Sequence, residues 1–365
     1  VDRVIRREFR VVEGDAFNSR ELQEAENRLL ALGFFESVDV RVREGSSPGR
    51  AIISVDVVEQ PTGSLTFGAA YGSSEGLTGT ISLTERNFLG RGQTVAIDLA
   101  GGSETSVLSF SFTEPRIFDQ DLSGGFSVFW REFDYDESSV NTRRAAFQPF
   151  LGFPLTDDSR LRLRARIGQD EIEIQDDNIS PILAREAGDE FSTAIGATYT
   201  FDKRNSPVDP TAGFIFTLDQ EFSLIGSGSR YSKTVASART YTSLFDEEVI
   251  LSAEVEGGAL IAFNDETRFI NRFNLGGDSF RGFERGGIGP RDICDDCGGP
   301  DGDEDVDDAL GGNMFGVARL EATFPLGLPS DYGIYGGVFT DVGSVWSLYD
   351  TDGAMGEVDD LSLIH

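Results

Sequence analysis

From Leu65 to Trp346, apolar and polar residues alternate one for one in about thirteen segments. Clear examples run Leu77 to Leu83, Leu108 to Phe112, Leu161 to Ile167, Phe191 to Phe201, Phe214 to Phe222, Val249 to Ala259, Met314 to Phe324 and Tyr332 to Val342. Successive side chains of a strand point to opposite faces, so this period predicts strands. Turn residues separate them: Leu89-Gly90-Arg91-Gly92, Asp157-Asp158, Asn205-Ser206-Pro207 and residues 226–229. In the segment Leu161 to Ile167, Leu161, Leu163, Ala165 and Ile167 share one face, and Arg160, Arg162, Arg164 and Arg166 share the other. One such strand fits a soluble sandwich with its Arg face in water. It fits equally a membrane barrel, apolar side to lipid and Arg side to a wet lumen. A series of this length favours the barrel, because a soluble sheet so wide needs helices or a second sheet to cover it.

Residues 1–60 follow a different period. Val4, Ile5 and Phe9 lie at helical spacing. A second helix is expected from Arg20 to Leu32, with Asn18 or Ser19 as cap, Leu22, Ala25, Leu29 and Leu32 on one face, and Gly33 as its stop. Two alternating runs follow, Phe35 to Arg43 and Ala51 to Val58, joined by a Ser46-Ser47-Pro48-Gly49 turn. The order helix, helix, strand, strand describes a small α+β unit. Gln60-Pro61-Thr62-Gly63 then reads as a hinge-like linker.

Composition narrows the function classes. The net charge of −32 argues against nucleic acid, whose phosphates need clustered Lys and Arg. No run approaches the roughly 18 apolar residues of a membrane helix. The 29 Phe and 43 Gly suit alternating strands. The one histidine is His365, which leaves little room for histidine catalysis or histidine metal sites.

The longest connection, residues 263–311, is read as a loop without strands of its own, and loops of that length are usually functional or disordered. Within it, Gly276 to Asp292 reads GGDSFRGFERGGIGPRD. Glycines permit tight folding, and here they interleave with Phe280, Arg281, Phe283, Glu284 and Arg285. A plain linker and a loop pressed into a confined place both fit that composition. Glu321 and Asp341 fall on the non-lipid faces of neighbouring strands. Two inward carboxylates suit acid–base catalysis or the pairing of an inward cation. Because the Arg281 loop directly precedes the Glu321 strand, an Arg–carboxylate lock is the more economical reading, and buried charges persist only when paired. Cys294-Asp295-Asp296-Cys297 lacks the ligands of a zinc site. Its acidic neighbours disfavour a thiolate, so a small disulfide is favoured. Asp301 to Asp308, DGDEDVDD, departs from a calcium loop at Val306 and Gly312 and is read as a solvated acidic loop. Neither a metal nor a cofactor is expected.

GGDSFRGF with the IGPRD tail, the strands ARLEATFP and VFTDVGSVW, and the leading α+β unit together resemble the BamA family. These are the barrel-assembly factors of Gram-negative outer membranes, within the Omp85 POTRA-barrel superfamily. The resemblance covers essentially the whole chain. It implies a mostly β fold: a transmembrane antiparallel β-barrel, with about thirteen of sixteen strands present, after a POTRA module. Residues 1–60 would be the periplasmic POTRA module, without its first strand. Residues 61–365 would be the barrel, without its last strands, and 264–311 an external loop folded into the lumen. Arg281, Gly282 and Phe283 would form the loop lock with Glu321 and Asp341. Cys294 and Cys297 sit where such loops carry a disulfide. Leu65, Thr66, Phe67, Gly68, Ala69, Ala70 and Tyr71 would be one side of a lateral gate. The implied function is non-enzymatic: folding and insertion of other barrels by strand addition at that seam. The implied partners are unfolded outer-membrane proteins, periplasmic lipoproteins and outer-membrane lipid. Sister translocation barrels are the alternative, and a passive porin is a more distant one.

Overall fold

The computed structural model describes residues 1–11, 14–47, 50–72, 76–134, 138–176, 178–223, 227–245, 248–263, 267–298, 304–327, 333–349 and 351–359. The first unit contains α1 (Asp2–Arg7), α2 (Ser19–Ala31), β1 (Phe35–Glu44) and β2 (Ala51–Glu59). The Asn18 side chain caps α2 by accepting from the amides of Arg20 and Glu21 at 3.1 and 3.4 Å. Gly33, at φ +68°, ends that helix in the left-handed region. Leu22, Ala25 and Leu29 are buried along one face of α2. Leu29 joins Val4, Phe34, Phe35 and Val38 in the core of this unit.

A thirteen-stranded antiparallel sheet follows. Its strands are β3 (Gly63–Gly72), β4 (Gly76–Phe88), β5 (Gln93–Gly102), β6 (Thr105–Glu114), β7 (Ser123–Phe133), β8 (Val140–Pro154) and β9 (Ser159–Ile174). They continue with β10 (Gly188–Asp202), β11 (Gly213–Ser223), β12 (Tyr231–Leu244), β13 (Val249–Ala262), β16 (Met314–Pro325) and β17 (Tyr335–Trp346). Each strand pairs with the next in sequence, except that β13 pairs with β16 across the long connection. Tyr332, expected inside the last of these strands, lies outside the described residues.

The faces are inverted relative to a soluble sheet. On β9, Leu163 and Ile167 are exposed while Arg166 between them is buried. On β10, Ile195 is 57% exposed and Ala194 only 6%. Apolar side chains on the outside and ion pairs on the inside are what a lipid-facing barrel wall requires. Two of the inward arginines of β9 are neutralised across strands. Arg164 reaches both oxygens of Asp219 at 2.7 Å, and Arg166 donates to Glu221 and to the Tyr231 hydroxyl.

The long connection differs from expectation. It contains β14 (Arg291–Gly298) and β15 (Glu304–Ala309), which form a small sheet with β18 (Glu357–Asp359) in the order β15-β14-β18. The acidic stretch is not a solvated loop either. Residues 301–303 lie outside the described residues, but Asp308 on β15 is 4% exposed. Acidic residues are poor strand formers, so the pairing here is imposed by tertiary contacts. Those contacts involve α3 (Pro181–Glu186), a short helix between β9 and β10.

Candidate functional site

The glycine-rich stretch is folded back on itself. Gly276 sits at φ +124°, and a Cβ there would lie 1.8 Å from the carbonyl oxygen of Glu284. The Gly277 amide donates to the Phe283 carbonyl at 2.7 Å. This closes a tight loop whose side chains point at the barrel wall. Phe280 is 1% exposed and packs with Leu275, Ile288, Phe315, Val317 and Val345, with Phe283 at the edge of that cluster. Its ring seats over Gly343, where a Cβ would come within 2.9 Å of it.

Arg281 is brought to both carboxylates. Its Nε and Nη2 donate to the two oxygens of Asp341 at 2.8 and 2.7 Å. Its Nη1 donates to Glu321 at 2.9 Å. The guanidinium also stacks 3.6 Å from the Phe339 ring centroid. These hydrogen bonds, Asp341 first, raise the Arg281 pKa above its ordinary value. The Asp341 side chain is 2% exposed, whereas Arg281 and Glu321 are each about one-third exposed. Arg319 ties the loop a second time. It donates to the Ser279 carbonyl at 2.6 Å and pairs with Glu254 and Glu256. Gly282, at φ +90°, turns the chain between Arg281 and Phe283.

Neither Phe280 nor Arg319 stood out in sequence as a site residue. Phe280 was visible one place before Arg281. Arg319 was visible two places before Glu321, on the same inward face of ARLEATFP. Glu321 and Asp341 are both occupied by one guanidinium, which fits pairing of an inward cation and not acid–base work by these two.

Above this loop, two buried aspartates gather three segments. Asp292 accepts from the Ser180 hydroxyl at 2.6 Å and from the amides of Met355 and Gly356 at 3.2 and 3.0 Å. Asp308 accepts from the Ser180 amide at 2.5 Å and from the Ser139 hydroxyl. Ser180 also caps α3, ahead of Pro181. At the other end of α3, Glu186 pairs with Arg272 at 2.7 Å, and burial raises its pKa. Cys294 on β14 is disulfide-bonded, and the Cys297 side chain lies outside the described residues.

The residues Leu65 to Tyr71 lie in β3, at one edge of the large sheet. They pair with β4 from Leu65↔Leu83 to Tyr71↔Leu77. Among the described residues no strand pairs with the other side of β3. Leu65, Phe67 and Tyr71 are 57%, 69% and 80% exposed, and Gly68, Ala69 and Ala70 add little packing.

A lipid-facing antiparallel barrel wall, an inward-pinned loop and a leading α+β unit define an outer-membrane β-barrel with a POTRA module. The chain belongs to the Omp85 superfamily, whose domain model matches residues 87–360, and it is similar to BamA over most of its length. A POTRA model, described as a surface antigen variable number repeat, matches residues 2–60. The outer membrane protein assembly factor BamA of Neorickettsia risticii is 30% identical over 94% of this chain and 45% of its own length. BamA of Neisseria meningitidis is 25% identical over the same shares. The human sorting and assembly machinery component 50 homolog is 24% identical over 89% of this chain and 69% of its own. The chain thus spans about half the length of the bacterial relatives it matches. The crystal structure of BamA from Haemophilus ducreyi lacking POTRA domains 1–3 shares the fold, with a TM-score of 0.82 at 23% identity over 95% of this chain and 70% of that one. The expectation of a non-enzymatic protein agrees with this family.

Proposed function

We propose that this chain is the membrane-proximal part of an outer-membrane β-barrel assembly factor, which templates the folding of other barrels by strand addition. The observation that carries the reading is the edge strand β3. Among the described residues its side away from β4 pairs with no strand, so it carries a row of backbone donors and acceptors there, with small residues at its centre. Each ladder hydrogen bond gained by an incoming strand contributes about 1 kcal/mol net, so several in register suffice to hold a nascent segment. No nucleotide is needed, because the folding of the incoming barrel supplies the driving force. On this reading residues 1–60 are the periplasmic POTRA module, 61–365 the barrel, and 264–311 an external loop folded into the lumen. Unfolded outer-membrane proteins, periplasmic lipoproteins and outer-membrane lipid are the partners. The names of the BamA relatives, outer membrane protein assembly factors, support the same reading. Arg281, Gly282, Phe283, Glu321 and Asp341 act as a strut that holds the loop in the lumen.

The test is a disulfide in the full-length protein, joining β3 to the strand that meets it when the barrel closes. Assembly of other barrels, followed in cells or in proteoliposomes, should stop under oxidation and resume on reduction. Assembly that continues with the seam fully crosslinked would refute strand addition at β3.

A further inference from the structure

The inner wall holds a charge imbalance that the loop strut does not use. Arg131 on β7 is the direct cross-strand neighbour of Arg144 on β8, which in turn faces Asp170 on β9. Like charges placed opposite each other destabilise a sheet. Asp170 does not serve both. Arg144 occupies its two oxygens at 2.7 and 2.8 Å. Arg131 has no ion pair or hydrogen bond to any described residue, and its guanidinium lies 4.6 Å from the Phe129 ring centroid. Arg131 is thus an exposed guanidinium on the inner face with no anion of the described residues beside it, next to a second arginine.

Both arginines face a cavity of about 360 Å³ between the β7–β8 wall and the inward loop. Arg272 and Arg285 reach it from the loop side, so four guanidiniums line it, and no carboxylate does among the described residues. The remaining lining is largely apolar, including Phe133, Phe269 and Phe273. Planar guanidiniums match the oxygens of a phosphate in forked pairs. An apolar wall beside them suits an attached hydrocarbon or glycerol moiety.

We propose that this cavity binds a phosphate-bearing anion, with Arg131 as its primary contact and Arg144 beside it. Inorganic phosphate and the headgroup of an anionic phospholipid share that chemistry. The site is separate from the β3 seam, and the proposal stands or falls independently of barrel assembly. The full-length protein in non-ionic detergent is titrated calorimetrically with inorganic phosphate and, separately, with dihexanoyl phosphatidylglycerol. At least one should bind saturably at one per chain. Arg131→Gln should weaken binding by about tenfold or more, and Arg131→Lys should restore part of it. Tighter binding of the lipid than of phosphate by about tenfold assigns the apolar wall to its acyl or glycerol part, while equal binding assigns the site to the free anion. Heat-dependent gel mobility reports whether each variant keeps its barrel. If Arg131→Gln does not fold, Arg285→Gln is read in its place. Saturation by neither probe, or binding unchanged in the folded variant, overturns the proposal.

Discussion

At the scale of single residues, the loop rests on two different kinds of contact. Arg281 contributes charge pairing, and Phe280 contributes buried area. Removing Arg281 takes from the nearly dry Asp341 the guanidinium that hydrogen-bonds both its oxygens, a cost of about 1–3 kcal/mol. Glu321 is more exposed, so its loss costs less. Arg281→Ala should therefore lower the temperature at which the barrel loses its heat-resistant gel mobility, Asp341→Ala should match it, and Glu321→Ala should fall short of both. The double variant Arg281→Ala with Asp341→Ala should be less destabilised than the sum of its parts by about 0.5–3 kcal/mol. Strict additivity would show that the pair contributes nothing as a pair. Phe280→Ala should cost about 3–5 kcal/mol in the same assay, because it removes a fully buried ring from its cluster and leaves a cavity. Glu321 and Asp341 were legible because alternation fixes the face of each strand residue, and Arg281 because its loop directly precedes the Glu321 strand. Phe280 was named in the loop but given no part in the lock, because nothing local distinguishes a phenylalanine that fills a pocket from one that lies at its rim.

At the scale of elements, legibility follows the strength of the period. The strands of the large sheet bury one face and show the other to lipid, so each carries a two-residue alternation in its own sequence. The second helix announced itself through Asn18, its apolar face and Gly33. By contrast β14, β15 and β18 carry RDICDDCG, EDVDDA and EVD, with little alternation and low strand propensity. Their order comes from Asp292 and Asp308, partners distant in sequence, which no window of the chain reveals. The helix α3 is six residues long, too short for a period, although Ser180-Pro181 is a legible start signal. A prediction belongs here. Asp292→Ala leaves the Ser180 hydroxyl and two backbone amides without their acceptor, at about 1–3 kcal/mol. Hydrogen exchange at Met355 and Gly356 should accelerate, while exchange across β9 and β10 stays at its original rate. Unchanged exchange at those two amides would mean that Asp292 does not hold the small sheet together.

At the scale of the whole molecule, the α+β unit meets the barrel through a small charged joint. Arg116, in the turn after β6, donates to the Arg7 carbonyl at 2.9 Å. Arg3 pairs with Asp119 in the same turn. Glu8 sits between Arg7 at 3.5 Å and Arg116 at 3.8 Å, and its side chain is only 7% exposed. Burial lowers the Arg7 pKa, so Arg7 depends on Glu8 for compensation. One carboxylate therefore serves two arginines from different units, and its removal sets those two against each other. Glu8→Ala should loosen the unit against the barrel by about 1–3 kcal/mol, more than loss of the exposed Arg3–Asp119 pair. Spin labels placed on the exposed position Arg20 of α2 and in the turn after β4 read this directly. The distance distribution of the full-length protein should broaden in Glu8→Ala and shift little in Asp119→Ala. Glu8→Gln should fall between the two, because it keeps the shape and loses the charge. An unchanged distribution in Glu8→Ala, with the unit still folded by circular dichroism, would show that the joint is held by packing of the chain against the turns and not by this carboxylate.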